Sequence, residues 1–509
     1  MTKTKPGRAR DEPTTADRCY NCRRRRLRCD RSYPSCHKCT INGEQCLGYG
    51  LVLRWANGPA TRGKLAPGIQ PPVSPPGSGQ EAMVQIAGAS VPAPTSICLS
   101  LVDPLLNHLH RESRHYINHF ATTVCRDLVS IDQDGRNPFR AMIPLIGTFD
   151  FLEAVVIATS AMHLATLHRY RGVPAGVELL DSLVAKDRAI RLLGSAIGRA
   201  SPLNQAMVLA AIVFFVNLDL IDSGKGGWKA HIEAAGTLIS SLQRGGQRLG
   251  SSITYLADAM AADCLTYRIL GSTISSVGFM ADSIQDGVDV LAVLQRAEAH
   301  SYHCCPPPIL QIILSTSRLC TRGATGIEAG TDRIEIALSL LHQARALDVR
   351  GWVHAIRGLS AHDELEVRVK LAAAHRAAAC LYILLAVPEA QSAQSTPPFS
   401  ELESVVGEIL DSLSSVPVGH VLLKGTVWPT FMAGAQTNDI LRRAWCADRL
   451  YTVWTESPWV CPWGYVQTAM QMLQDIWAAR DHVSSNHSEL GTTNWLQGLR
   501  DIRSNCLIV

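Results

Sequence analysis

Six cysteines near the N-terminus obey one rule of spacing. Cys19, Cys22, Cys29, Cys36, Cys39 and Cys46 read C-x2-C-x6-C-x6-C-x2-C-x6-C, two similar halves each opened by a C-x2-C pair. A structural zinc ion takes four ligands in a tetrahedron. Two ions need eight ligand positions, and six thiolates fill them only if two bridge, so the pattern points to a binuclear zinc site. Between the second and third cysteines runs Arg23-Arg24-Arg25-Arg26-Leu27-Arg28. Five guanidiniums so close together repel one another unless a polyanion or the thiolate cluster compensates. The guanidinium fork matches both phosphate oxygens and the O6/N7 edge of guanine. A basic run alone can equally solubilise a surface or serve as a nuclear import signal; inside a double zinc spacing, the polyanion reading takes precedence. Leu27, Tyr33, Ile41 and Leu47 are most of the apolar content here, so metal binding must supply most of the folding free energy and chelation should unfold the module.

The remainder of the chain must carry and tether this module. Residues 1–66 hold four Lys and eleven Arg against five acids, a net of +10, whereas the 509-residue chain totals +4, so the rest carries −6. Residues 1–17 are polar and read as disordered, 18–58 as the zinc-binding, DNA-binding domain and its extension, 59–100 as a Pro/Gly-rich linker, and 101–509 as a large helical domain. The N-terminus lacks the apolar core of a secretory signal, which places the cysteines in a reducing compartment and favours metal over disulfides. The longest uninterrupted apolar run, 206–216, is about half of the ~20 residues that cross a bilayer, so no membrane partner is expected. From about residue 101 onward the chain reads as all-α, with segments rich in Ala and Leu and no competing β-alternation. Over 182–198, Leu183, Ile190, Leu193 and Ile197 share one helix face, with Lys186, Asp187 and Arg191 mostly turned away. Residues 151–168 and 367–387 are apolar all round, as helices central to a bundle would be. No sustained heptad pattern follows the cysteine cluster, so dimerisation has no sequence witness there.

With these residues in view, the segment Cys19 to Cys46 resembles the fungal Zn2Cys6 binuclear-cluster transcription factors. The basic run after the second cysteine, the Cys29-Asp30 pair and Pro34 before the fourth cysteine strengthen the match. The resemblance implies that Cys19 and Cys36 bridge two zinc ions. It implies that a helix opening at Cys22 enters the major groove at a CGG-like triplet, with Arg25 and Arg26 near the bases and Arg23 and Arg28 nearer the phosphates or the cluster. The large region is similar to the group with the second fungal-specific regulatory domain, of the acriflavine-sensitivity-control type. The residues that carry this are Cys46-Leu47-Gly48-Tyr49-Gly50, Leu53-Arg54-Trp55, His115-Tyr116-x3-Phe120, Asn137-Pro138-Phe139-Arg140, Gly227-Trp228-Lys229-Ala230-His231, Trp428-Pro429 and Asn494-Trp495-Leu496. The implied architecture is a small zinc module, a Pro-rich linker and an all-helical regulatory domain rather than an enzyme.

Other signals have plainer explanations. Gly224-Lys225-Gly226-Gly227 lacks the phosphate-loop spacing and reads as a loop between helices. Cys304-Cys305 beside three prolines reads as an ordinary loop. His163, His231 and His375 sit in apolar helical surroundings and read as hydrogen-bonded core or lining residues. No Ser/His/Asp or paired-carboxylate constellation is found. The sequence therefore describes a nuclear, sequence-specific DNA-binding regulator of RNA polymerase II transcription, with double-stranded DNA as partner and a homodimer left open. The alternative reading is a sensor whose helical domain binds a small metabolite or drug; a closed apolar pocket of roughly several hundred Å3 with a few polar groups such as His231 would favour it.

Overall fold

The computed structural model describes residues 19, 21–22, 25–30, 32, 36–43, 46 and 109–509. Within the last range it leaves out 131, 133–136, 198–200, 245–250, 276–287, 325–329, 357–358, 360–364, 393–397, 456–462, 486–493 and 503–504. The chain divides into two units, Met1–Ile97 and Cys98–Val509. In the second unit, the helices of eight or more residues are α1 (Arg111–His119), α2 (Asp150–Tyr170), α3 (Gly176–Ala196), α4 (Pro202–Asp222), α5 (Trp228–Arg244), α6 (Ser251–Ser272) and α7 (Val290–Ala297). They continue with α8 (Pro307–Ala324), α9 (Gly330–Ala346), α10 (Leu365–Ala386), α11 (Pro398–Ser414), α12 (Val427–Gln436), α13 (Ile440–Thr455) and α14 (Gly464–Ser485). Among the described residues there is no strand, only an isolated bridge between Lys225 and Cys506. The all-α expectation is met.

Three helices form the interior. α2 packs on α3 and α4, α4 packs on α5, α6 and α14, and α10 packs on α8, α9, α11 and α12. These same helices, α2, α4 and α10, are long and apolar enough to cross a membrane by length and composition, yet 83%, 94% and 83% of their most apolar windows are buried inside the domain. Counting uninterrupted apolar runs therefore understated them: scattered Ser, Thr, His and Asn break the runs without lowering mean hydropathy enough. In α4, Ser201 caps the helix by accepting the Asn204 N–H, Pro202 occupies the first turn, and nearly every side chain from Ala206 to Ile221 is buried.

Several of the dispersed motifs turn out to be caps and core. Asn137 accepts the N–H groups of Phe139 and Arg140, Pro138 opens that short helix, and Phe139 is fully buried. Asn494 caps the short helix Trp495–Asp501, and the Trp495 indole donates to Gln436 Oε1 at 3.0 Å. The glycine-rich stretch at 224–227 is a loop, as its composition suggested. Gly224 has φ +70°, and a Cβ there would lie 2.6 Å from that of Tyr465. Only glycine allows that approach, and its carbonyl accepts the Leu507 N–H at 2.8 Å, so the loop holds the segment in which Leu507, Ile508 and Val509 are buried. Cys304 and Cys305 are also packing residues: both are buried just ahead of α8, and Arg368 Nη1 lies 3.4 Å from Cys304 Sγ.

The structure corrects the reading of 182–198. In α3 the buried face is Ser182, Ala185, Ala189, Leu193 and Ala196, while Leu183, Ile190 and Ile197 are 52%, 49% and 58% exposed. Small side chains let α3 lie close against α2, close enough for the Ser182 hydroxyl to donate to the Ala158 carbonyl at 2.8 Å. Shape outweighs hydrophobicity on this helix.

Candidate metal centre

The zinc module is built twice from one local plan. Cys19 and Cys36 each stand at the start of a helical turn. The Cys22 N–H donates to Cys19 Sγ and the Cys39 N–H to Cys36 Sγ, both at 3.4 Å. Sulfur thus takes the capping role that oxygen plays in Ser or Asp, and the aligned N–H groups favour negative charge on it. The second turn is the five-residue helix His37–Ile41. Seven residues after each leading cysteine the backbone enters the left-handed region, at Arg26 (φ +56°) and Gly43 (φ +69°). Three residues later come Cys29 and Cys46. The first turn closes with Leu27 N–H on the Cys22 carbonyl at 2.9 Å across the left-handed Arg26, the bond of a Schellman cap.

These turns bring the sulfurs together across the two halves. Cys19 Sγ lies 3.5 Å from Cys36 Sγ and 3.8 Å from Cys39 Sγ, and Cys22 Sγ lies 3.7 Å from Cys36 Sγ. Zn–S bonds of about 2.3 Å at the tetrahedral angle place sulfurs about 3.8 Å apart. The spacing therefore suits a shared ion rather than unligated thiols. Ligating atoms of Cys19, Cys22, Cys36 and Cys39 all lie within 4.8 Å of one another, and so do those of Cys29, Asp30 and Cys36. The Cys36 N–H points at Cys46 Sγ, 3.5 Å away. Burial pushes the Cys19 and Cys39 thiols up and the Cys22 thiol to about 12. Packed thiolates are thus unfavourable here without cations, and the donor set fits two divalent ions that ionise them.

Asp30 ties the halves together. Its carboxylate accepts the Ser32 hydroxyl and the N–H groups of His37 (2.9 Å) and Lys38 (3.3 Å), which hold it well below the usual carboxylate range, the Ser32 bond first. Arg25, Arg26 and Arg28 are exposed beside the cluster, whereas Arg23 lies outside the described residues. The helix expected to open at Cys22 already includes Asn21, and Arg26 is its left-handed terminator rather than a residue on its face.

The helical domain holds polar groups that sequence inspection only partly found. His163 is fully buried, with Nε2 2.9 Å from Asp127 Oδ2 and Nδ1 3.0 Å from His119 Nε2. His375 is buried with Nε2 3.1 Å from the Gly425 carbonyl oxygen, and His231 stacks on Phe215 at 5.0 Å. Lys424 was not anticipated. It is 2% exposed, donates to the Asp127 carbonyl, and its ammonium sits 4.0 Å and 4.5 Å from the ring centres of Tyr302 and Trp463. Burial lowers its pKa to about 7. The one cue in the sequence was a lysine in the apolar stretch 421–428. A cleft of about 660 Å3 opens between α14, the helix Trp495–Asp501, Cys506 and Lys225. His231 does not line it, so the pocket expected around that residue is not where the cavity lies.

Comparison with known proteins agrees with this geometry. The model of the fungal Zn(2)-Cys(6) binuclear cluster domain matches residues 18–55, and that of the fungal specific transcription factor domain matches 115–505. The chain is 45% identical to the acriflavine sensitivity control protein acr-2 of Neurospora crassa, over 100% of this chain and 99% of that one. It is 21% identical to the phomenoic acid biosynthesis cluster-specific transcriptional regulator of Leptosphaeria maculans, over 91% and 86% of the two chains. No solved structure matches. With its two-zinc cysteine cluster followed by a helical regulatory domain, the chain belongs to the fungal specific transcription factors with a Zn(2)-Cys(6) cluster and is a DNA-binding transcription regulator.

Proposed function

We propose that the zinc module reads DNA through a defined set of side chains. Cys19 and Cys36 would be shared by the two zinc ions, with Cys22 and Cys29 also holding one and Cys39 and Cys46 the other. The observation that carries this is the sulfur geometry, in which Cys19 and Cys36 lie 3.5 Å apart and each also neighbours one cysteine of the opposite half. Arg25 and Arg26 project from the closing turn toward base edges at a CGG-like triplet, with Arg23 and Arg28 on phosphates or the cluster. The protein acts in the nucleus on RNA polymerase II promoters, as a homodimer, and its helical domain regulates rather than catalyses.

The test is competition binding of the zinc-loaded full-length chain to a CGG-containing duplex against a scrambled one at ~150 mM salt, where counterion release already weakens non-specific binding. At least tenfold preference is expected, falling toward unity in Arg26→Ala at unchanged zinc content. Equal affinity for both duplexes refutes the reading.

A second reading concerns regulation. The 660 Å3 cleft has the volume of a small-molecule site, with an apolar floor of Ile476, Trp495 and Leu499 and polar groups from Lys225, Asp475 and Asn505 at its rim. An effector seated there would touch the Lys225 loop and the segment that loop holds.

A further inference from the structure

The outer face of α3 carries apolar side chains that are left exposed among the described residues. Val177, Leu180, Leu183, Val184, Ile190 and Ile197 are between 49% and 70% exposed. At 3.6 residues per turn they fall within an arc of about 160°. Leu183, Ile190 and Ile197 are seven residues apart, the interval at which a helix meets a partner helix. Most charges on α3 are drawn inward: Glu178 pairs with His168, Lys186 with Asp219, and Asp181 accepts the Tyr116 hydroxyl. The ion pair in the middle of the exposed arc, Asp187 with Arg191 at 2.7 Å, neutralises itself.

We propose that this face is the interface with a second copy of the chain, the two α3 helices lying antiparallel about a two-fold axis near Asp187. The inference deepens the homodimer in the proposed function by naming its surface. Pairing about that axis sets Val177 against Ile197, Val184 against Ile190, and Leu180 against Gly194. At Gly194 an added Cβ meets nothing within 4 Å, so there is room for the leucine. At the centre, each Arg191 lies one turn, about 6 Å along the axis, from the level of both Asp187 carboxylates. Four charges then alternate in a ring, and the face is complementary to itself, as a two-fold interface must be. Taken from their fractional exposures, the six residues offer about 650 Å2 per copy, within the range that one partner contributes to a standard interface. It also exceeds the largest apolar patch of an ordinary monomer.

Sedimentation velocity on the full-length, zinc-loaded chain without DNA tests the interface independently of DNA recognition. The wild type should sediment at twice its 55.3 kDa mass at micromolar concentration. Leu183→Asp with Ile190→Asp should raise the dimer dissociation constant at least a hundredfold while the helical circular-dichroism spectrum stays that of the wild type, since both residues are exposed. Asp187→Arg and Arg191→Asp should each weaken self-association about tenfold, and the two variants mixed should form the heterodimer in preference to either homodimer. A monomeric wild type overturns both the interface and the homodimer. A double variant that stays dimeric overturns this surface but leaves dimerisation standing. Variants that show no heterodimer preference overturn the ring. A double variant that melts lower while the wild type is monomeric shows the face covered by the chain itself.

Discussion

Replacing Arg26 by glycine should make the zinc module more stable while weakening its hold on DNA. Arg26 and Gly43 occupy the same step of the two halves, seven residues after Cys19 and Cys36, with φ of +56° and +69°. A side chain in the left-handed region costs about 1–2 kcal/mol. Glycine escapes that cost but gives up about 0.5–1 kcal/mol through its freer unfolded chain. Arg26→Gly should therefore stabilise the module by about 0.5–1 kcal/mol, or roughly a two- to fivefold change in the folded-to-unfolded ratio, since about 1.4 kcal/mol is tenfold. Gly43→Ala should cost a similar amount, and for backbone reasons alone, because a Cβ at Gly43 meets nothing within 4 Å. The two substitutions together should return close to wild type. Because metal binding and folding of this module are one event, a chelator titration of the full chain, followed by zinc release, measures the shift directly. Arg26→Ala serves as the control: it keeps the strained backbone, so its zinc release should match wild type while its DNA preference falls with that of Arg26→Gly. If Arg26→Gly releases zinc more readily than wild type, or if Gly43→Ala releases it no more readily, the equivalence of the two turns is wrong.

Two further outcomes follow from the cluster and the buried lysine. Cys36→Ala should lose both zinc ions, because the proposed bridging role gives its sulfur a place around each ion, whereas Cys22→Ala should keep about one; metal analysis of the dialysed proteins decides, and two ions retained in Cys36→Ala would contradict bridging. Burial lowers Lys424 from the ordinary value of 10.5 to about 7, so between those limits the unfolded chain binds more protons than the folded one and stability rises with pH on this account. Lys424→Met should remove that slope, at most about 1.4 kcal/mol per pH unit. Urea melts at pH 7 and pH 9 should show the wild type gaining about 2 kcal/mol relative to the variant, and equal slopes would rule out the buried, weakly basic lysine.

Two layers of information separate cleanly in this protein. The metal centre was legible in the sequence because its ligands lie within 28 residues and zinc imposes its own tetrahedral geometry. The helical class was legible as well, since capping residues such as Ser201, Asn137 and Asn494 act on the N–H groups beside them. Tertiary structure decided what depends on neighbours distant in sequence. Periodicity showed that Leu183, Ile190 and Ile197 share a side of α3, but only the close approach of α2 determined that alanines face inward and these residues outward. Lys424 is unremarkable in the sequence and acquires its weak basicity from burial, which required Tyr302, Trp463 and the Asp127 carbonyl to be brought around it from three separate parts of the chain. Short-range chemistry is written in spacing. Burial is settled by which surfaces fit together, and that is a property of the packed chain.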